Sequence, residues 1–127
     1  MDRVYIQAGE STPGFNLDPE KGEITLWGQA CPEDAFEFYQ PIIDKLKQYL
    51  ESNPEKVDFI FNINYYNTAS SKIIVSILQL LEKARRNDVN VRIIWYYDPD
   101  DEDMMIAGED FSEIVDVPFE LKPLENE

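Results

Sequence analysis

The hydroxyl groups best placed to do chemistry in this chain stand together in Tyr66-Asn67-Thr68-Ala69-Ser70-Ser71-Lys72. The run follows an apolar alternating stretch and leads into an apolar pattern of helical spacing, so it falls at a helix start. Serine and threonine at such a place are ordinary caps. The same place also offers free backbone N–H groups and the positive end of the helix dipole, both of which favour phosphate. Thr68 therefore has two readings on residue types alone: a cap, or a kinase-accessible hydroxyl that carries phosphate without unfolding the helix. A helix turns by roughly 100° per residue, so Ser70 and Ser71 point away from Thr68. Modification is expected on Thr68 alone, with Ser71 serving the helix start as a hydrogen-bonding residue.

A second group of reactive types is the acidic turn Asp98-Pro99-Asp100-Asp101-Glu102-Asp103. Asp98, Asp100 and Glu102 alternate, and Glu109 falls twelfth from Asp98, in imitation of a calcium loop. The imitation fails in detail, because Asp103 stands where that loop requires glycine and Pro99 lies inside it. We read the segment as a solvated turn whose acids cap a helix, with no tight metal site and no cofactor expected; magnesium held by a few of these carboxylates is the alternative.

Much chemistry is excluded outright. The 127 residues contain no histidine, which removes Ser/His/Asp and Cys/His nucleophile systems and histidine-containing zinc sites. The single cysteine, Cys31, has no imidazole to activate it and reads as a small buried hydrophobe in a reducing compartment. Net charge is −15, and residues 98–127 carry −11 of it, with twelve acids against Lys122. Such a chain should be repelled by nucleic acid and by anionic membranes, leaving basic proteins as the partners charge would select. No apolar run reaches the roughly 18 residues of a membrane span, and the first residues lack the apolar centre of a signal peptide. A cytoplasmic, non-enzymatic protein is expected.

The elements that must position these groups follow from periodicity. Val4–Ile6 alternates weakly, Phe15-Asn16-Leu17 alternates, Asp18–Gly22 is a turn, and Ile24–Trp27 returns as a strand ending at Gly28. Pro32-Glu33-Asp34 opens a helix in which Ala35, Tyr39, Ile42, Leu46 and Tyr49 share a face, to about Glu51. Pro41 within it predicts a kink or two abutting helices. Val57–Ile63 is a buried strand, and Ile73, Ile74, Ile77, Leu78, Leu81 and Ala84 form the face of a second helix, with Lys83, Arg85 and Arg86 complementing the dipole at its end. Val89–Tyr97 is apolar on both faces and reads as a central strand. A short helix from about Glu102 to Ala107 should end at Gly108, followed by a short element at Phe111–Val115 and a last strand at Phe119–Leu121. The order strand, strand, helix, strand, helix, strand, helix, strand makes residues 1–127 one α/β domain, a mixed sheet packed with helices. Strands 57–63 and 89–97 flank one helix and should run parallel, which puts Asn67-Thr68 and the acidic turn at one sheet edge.

Several stretches together resemble the SiaC family of bacterial regulatory phosphoproteins. They are Ser11-Thr12-Pro13 before Phe15–Asp18; Gly28 followed by Pro32-Glu33-Asp34-Ala35, Phe38-Tyr39 and Pro41; and Tyr66 to Lys72. The last is Trp95-Tyr96-Tyr97-Asp98 with Asp100 to Asp103, Gly108-Glu109-Asp110 and Val117-Pro118-Phe119. The resemblance implies a STAS-like fold, as in anti-sigma-factor antagonists, and a partner-switching module phosphorylated on Thr68. It implies a kinase of the histidine-kinase-like ATPase group and a metal-dependent serine/threonine phosphatase. The unphosphorylated form would bind and regulate a target, such as a diguanylate cyclase. Tyr66, Asn67, Ser71, Lys72, Asp98, Asp100 and Asp101 are the candidate partner-binding residues around Thr68.

Three other readings compete. An enzyme would have to work with carboxylates, tyrosines and lysines. A small-ligand sensor would gather Trp27, Tyr65, Tyr66, Trp95, Tyr96 and Tyr97 into an aromatic pocket at strand ends. An anti-sigma-factor antagonist would act on an anti-sigma kinase through the same fold.

Overall fold

The computed structural model describes residues 1–125. Its centre is strand β4 (Lys56–Tyr66), where Val57, Phe59, Phe61 and Ile63 are buried and the residues between them half-buried. That alternation, set by the two-residue period of a strand, fixes which face meets the core. On one side of β4 lie β3 (Glu23–Ala30), β2 (Gly14–Asp18) and β1 (Val4–Ile6); on the other lie β5 (Asn90–Tyr97) and β6 (Phe119–Pro123). The sheet order is β1-β2-β3-β4-β5-β6, antiparallel from β1 to β3 and parallel from β3 to β6. Register carries one face from strand to strand, as in the rows Leu17–Ile24–Phe59–Ile93 and Phe15–Leu26–Phe61–Trp95.

Three helices, α1 (Ala35–Glu51), α2 (Thr68–Arg86) and α3 (Glu102–Glu113), each link two adjacent parallel strands. Tyr39, Ile42 and Leu46 of α1, Ile74, Ile77 and Leu81 of α2, and Met104 and Phe111 of α3 join those rows in one apolar cluster. The opposite face carries the mixed row Asn16–Thr25–Ile60–Ile94. On it Asp58 accepts from Arg92 at 3.2 Å and Lys56 at 3.4 Å. Partial burial raises the Asp58 pKa, but the bonds and charges of these two cations outweigh it and hold the carboxyl below its ordinary value. No helix among the described residues is long and apolar enough to cross a membrane.

The parallel pairing of β4 with β5 and the single mixed sheet agree with the sequence reading. Three particulars differ. Val4–Ile6 is a full edge strand, so three strands precede the first helix rather than two. Pro41 neither ends α1 nor divides it in two: one helix runs from Ala35 to Glu51 with Pro41 on its exposed side, at the loss of one backbone hydrogen bond. Gly108 does not terminate α3, which continues to Glu113 and takes in Phe111. Glycine sits there because α3 crosses Trp95 so closely that a Cβ would lie 2.5 Å from the indole ring. The Trp95 Nε1–H donates to the Met104 carbonyl at 3.1 Å, fixing the same contact.

Candidate functional site

A bulge prepares the site. Gly28 of β3, with φ of +92°, pairs with Ile63, while Gln29 pairs with Tyr65, so Asn64 is the extra residue. A non-glycine residue is strained at that φ, and the inserted residue reverses the alternation beyond it. Tyr66 consequently turns toward the helices, its ring centroid 6.0 Å from that of Phe111, while Tyr65 is 56% exposed. Burial, with the charge of Asp110 added, pushes the Tyr66 hydroxyl pKa up.

Directly after Tyr66, the Asn67 N–H donates to the Ala30 carbonyl at 3.2 Å, tying the turn to the end of β3. Asn67 is the N-cap of α2: its Oδ1 accepts from the Ser70 N–H at 2.9 Å and its carbonyl from the Ser71 N–H at 3.0 Å. Thr68 and Ala69 occupy the first two helical positions, both exposed. Among the described residues neither backbone N–H has a protein acceptor, and the Thr68 hydroxyl has no hydrogen-bond partner. Ser71 Oγ donates to the Thr68 carbonyl at 2.6 Å; three residues on, it returns to the side of Thr68, against the expectation that it points away, and only Ser70 does point away. Ser70 is 1% exposed, its Oγ 2.8 Å from the hydroxyl of Tyr39 on α1. Lys72 is exposed four residues after Thr68, the spacing at which helix side chains meet.

The acidic turn lies at the same sheet edge. Asp98 Oδ1 accepts from the Asp100 N–H at 2.9 Å, and Asp101 is the N-cap of α3, accepting from the Met104 N–H at 3.0 Å. Asp98, Asp100 and Asp101 line a cleft of about 530 Å³ with Asn62, Asn64 and Tyr97. Asp101 also lines an adjoining cleft of about 380 Å³ with Tyr65, Tyr66 and Ala107. Of the candidate residues, the structure thus brings Tyr66 together with the acidic turn, whereas Thr68 and Ser71 on the first turn of α2, and Lys72 one turn after Thr68, stand outside both clefts. Among the described residues no three carboxylate or thiol side chains are grouped to hold a metal ion.

The six aromatics considered for one pocket are dispersed. Trp95 is 1% exposed in the core and Tyr66 faces α3, while Trp27 packs with Tyr5, ring centroids 6.0 Å apart. Sequence reasoning did not identify Asn67 as the cap, although an asparagine just before the first helical residue is the ordinary signal. It read Tyr39 only as an apolar helix position. Nothing local marks the hydroxyl of Tyr39 as the partner of a serine 31 residues away.

Comparison with known proteins places this arrangement. The description "SiaC family regulatory phosphoprotein" belongs to the family whose profile matches residues 6–124. An uncharacterised protein of Pseudomonas aeruginosa (strain UCBPP-PA14) is 29% identical over 122 residues, covering 96% of this chain and 97% of that protein. The structure of SiaC of Pseudomonas aeruginosa superposes with a TM-score of 0.89 at 27% identity, over 98% of this chain and 100% of that one. A chain in the crystal structure of the Pseudomonas aeruginosa diguanylate cyclase SiaD in complex with its activator SiaC gives a TM-score of 0.91 at 28% identity, over 95% and 99%. With its profile matched from β1 to beyond β6, this chain belongs to the SiaC family of regulatory phosphoproteins.

Proposed function

We propose that this protein is a non-enzymatic cytoplasmic partner-switching module in which phosphate on Thr68 controls binding to a target, a diguanylate cyclase. The observation that carries the reading is a difference among the three helix starts. The caps of α1 and α3 are Asp34 and Asp101, and Glu37 or Glu102 and Asp103 follow in the first turn. The start of α2 has the neutral cap Asn67 and no acid in its first turn, in a chain of net charge −15. It is the helix start at which negative charge is missing, and it holds an exposed, unpartnered threonine hydroxyl. A phosphate there meets two free N–H groups, the helix dipole, and Lys72 one turn on.

Phosphate would be added by a kinase of the histidine-kinase-like ATPase group and removed by a metal-dependent serine/threonine phosphatase, as family membership suggests. The target is inferred from the relative SiaC, described as the activator of the diguanylate cyclase SiaD. Family membership favours the unmodified form as the binding form; a dianion in the interface, which must be desolvated and would occupy space the partner needs, then opposes binding. Tyr66, Asn67, Ser71 and Lys72 beside Thr68, with Asp98, Asp100 and Asp101 of the acidic turn at the same sheet edge, would form the surface the target meets. The test is titration of a diguanylate cyclase from the same cell with unmodified, phosphorylated and Thr68→Ala protein, following affinity and cyclase activity together. Unmodified and Thr68→Ala protein should bind alike and phosphorylated protein weakly; equal affinity of all three would remove the switch.

A further inference from the structure

The contact between Tyr39 and Ser70 does more than fill the core. Ser70, at 1% exposure, is the one buried polar side chain outside the aromatics among the described residues, and Tyr39 is likewise 1% exposed. Their oxygens are 2.8 Å apart, across the seam between α1 and α2. A hydroxyl buried without a partner costs more than its bond contributes, so each of these groups depends on the other. Ser70 is held from a second direction as well, since its N–H donates to Asn67 Oδ1 at 2.9 Å. The first turn of α2 is thus pinned at its third residue, both to its own cap and to the neighbouring helix. Of the three hydroxyls in that turn, Ser70 is bound to α1, Ser71 donates to the Thr68 carbonyl at 2.6 Å, and Thr68 is free and exposed.

We propose that Tyr39 is a positioning residue for the phosphorylation switch: through Ser70 it pins the first turn of α2 to α1, leaving Thr68 as the hydroxyl a kinase can reach. This rests on the reading of Thr68 as the phosphate acceptor. Tyr39→Phe keeps the ring and its edge-to-face contact with Phe38, at 5.1 Å between centroids, and removes only the bond to Ser70. The buried Ser70 hydroxyl then lacks its partner, and opening of the first turn becomes the way to hydrate it. Ser70→Ala added to Tyr39→Phe removes the orphaned group and should close the turn again, so the two changes are not additive.

Two measurements test this. Amide hydrogen exchange on unmodified protein should show residues 69–73 opening roughly tenfold faster in Tyr39→Phe, with β4 changed much less and the double variant restored toward wild type. In the native cell, tandem mass spectrometry should find phosphate on Thr68 alone in wild type, but spread to Ser70 or Ser71 in Tyr39→Phe. Exchange unchanged at 69–73, or raised equally in β4 and α2, would overturn the proposal, as would phosphate confined to Thr68 at an unchanged level in Tyr39→Phe. A wild-type protein that takes no phosphate on Thr68 would defeat the acceptor reading instead. That case is distinguishable because the exchange comparison is made without phosphate.

Discussion

The starts of α2 and α3 lie at one edge of one sheet and solve the same problem, one without charge and the other with carboxylates. Both follow the end of a parallel strand, and both are capped by a side-chain oxygen accepting from the third helical N–H, at 2.9 Å from Asn67 and 3.0 Å from Asp101. The α3 start then adds Glu102 and Asp103, so its dipole is answered by permanent carboxylates. The α2 start adds Thr68, Ala69 and Ser70, and its dipole is left unanswered. In a chain with 26 acids, the proposed switch would use this acid-free start as the place where charge is added and removed.

The largest effect expected from this difference is on binding. Phosphate brings about −1.5 to −2 charges to the α2 start. In the free protein that charge is favourable by roughly 0.3–1 kcal/mol, less the repulsion of the acidic turn nearby, so the melting temperature should move by only a few degrees. In the complex the dianion must be desolvated, and a penalty of about 2.8 kcal/mol already weakens binding about a hundredfold. Calorimetry with the target and thermal melting of both forms should show a large loss of affinity with little change in stability. A melting point lowered by ten degrees or more would mean that phosphate acts by unfolding α2, and the contrast between the two helix starts would not be the cause.

The next effect is local and somewhat larger at the α3 end. Asn67→Ala deletes one cap bond and should cost about 1 kcal/mol in chemical denaturation. Asp101→Ala should cost the same for its bond and roughly 0.3–1 kcal/mol more for the carboxylate facing the dipole, and Asp101→Asn, which keeps a capping oxygen, should show that extra part alone. If Asn67→Ala proves neutral, the side-chain bond to Ser70 N–H is replaceable, and the α2 start is held by the Tyr39–Ser70 contact and the backbone bonds of residue 67 to Ala30 and Ser71.

How much of this could be read beforehand follows the range of the forces. Alternation at Val57–Ile63 and the helical spacing of Ile74, Ile77 and Leu81 are local signals, and the structure places those elements as the sequence reading did. Thr68 at the head of α2 and Asp98–Asp101 ahead of α3 also came from local spacing. Gly108 misled because glycine usually ends a helix, whereas here it is required by Trp95, a residue 13 positions earlier on another element. The Asn64 bulge that aims Tyr66 at Phe111 depends on register with β3, and no residue type announces it. The bond from Tyr39 to Ser70 joins positions 31 apart, beyond any periodicity.

The smallest effect tests the charge argument most directly. Ala69 is exposed at the second position of α2, and Asp103 is exposed in the first turn of α3. Ala69→Glu adds the missing carboxylate and should stabilise the unmodified protein by roughly 0.3–1 kcal/mol, with Ala69→Gln as the uncharged control. Asp103→Asn removes a carboxylate from the other end and should destabilise by a similar amount. Both differences should shrink between low salt and about 1 M salt, where the Debye length falls to about 3 Å. Phosphate on Thr68 then supplies a further discrimination. If it occupies the unanswered end of α2, the gain from Ala69→Glu disappears or reverses in phosphorylated protein, because carboxylate and phosphate compete for the same two N–H groups and repel each other. Asp103→Asn, at the other helix, should cost the same in both forms or slightly less in the phosphorylated one, where the edge carries more negative charge. Denaturation of the four combinations measures this as one coupling energy. Strict additivity of Ala69→Glu with phosphate would show that the phosphate does not sit on the α2 start, and that the acid-free first turn is a matter of composition rather than of function.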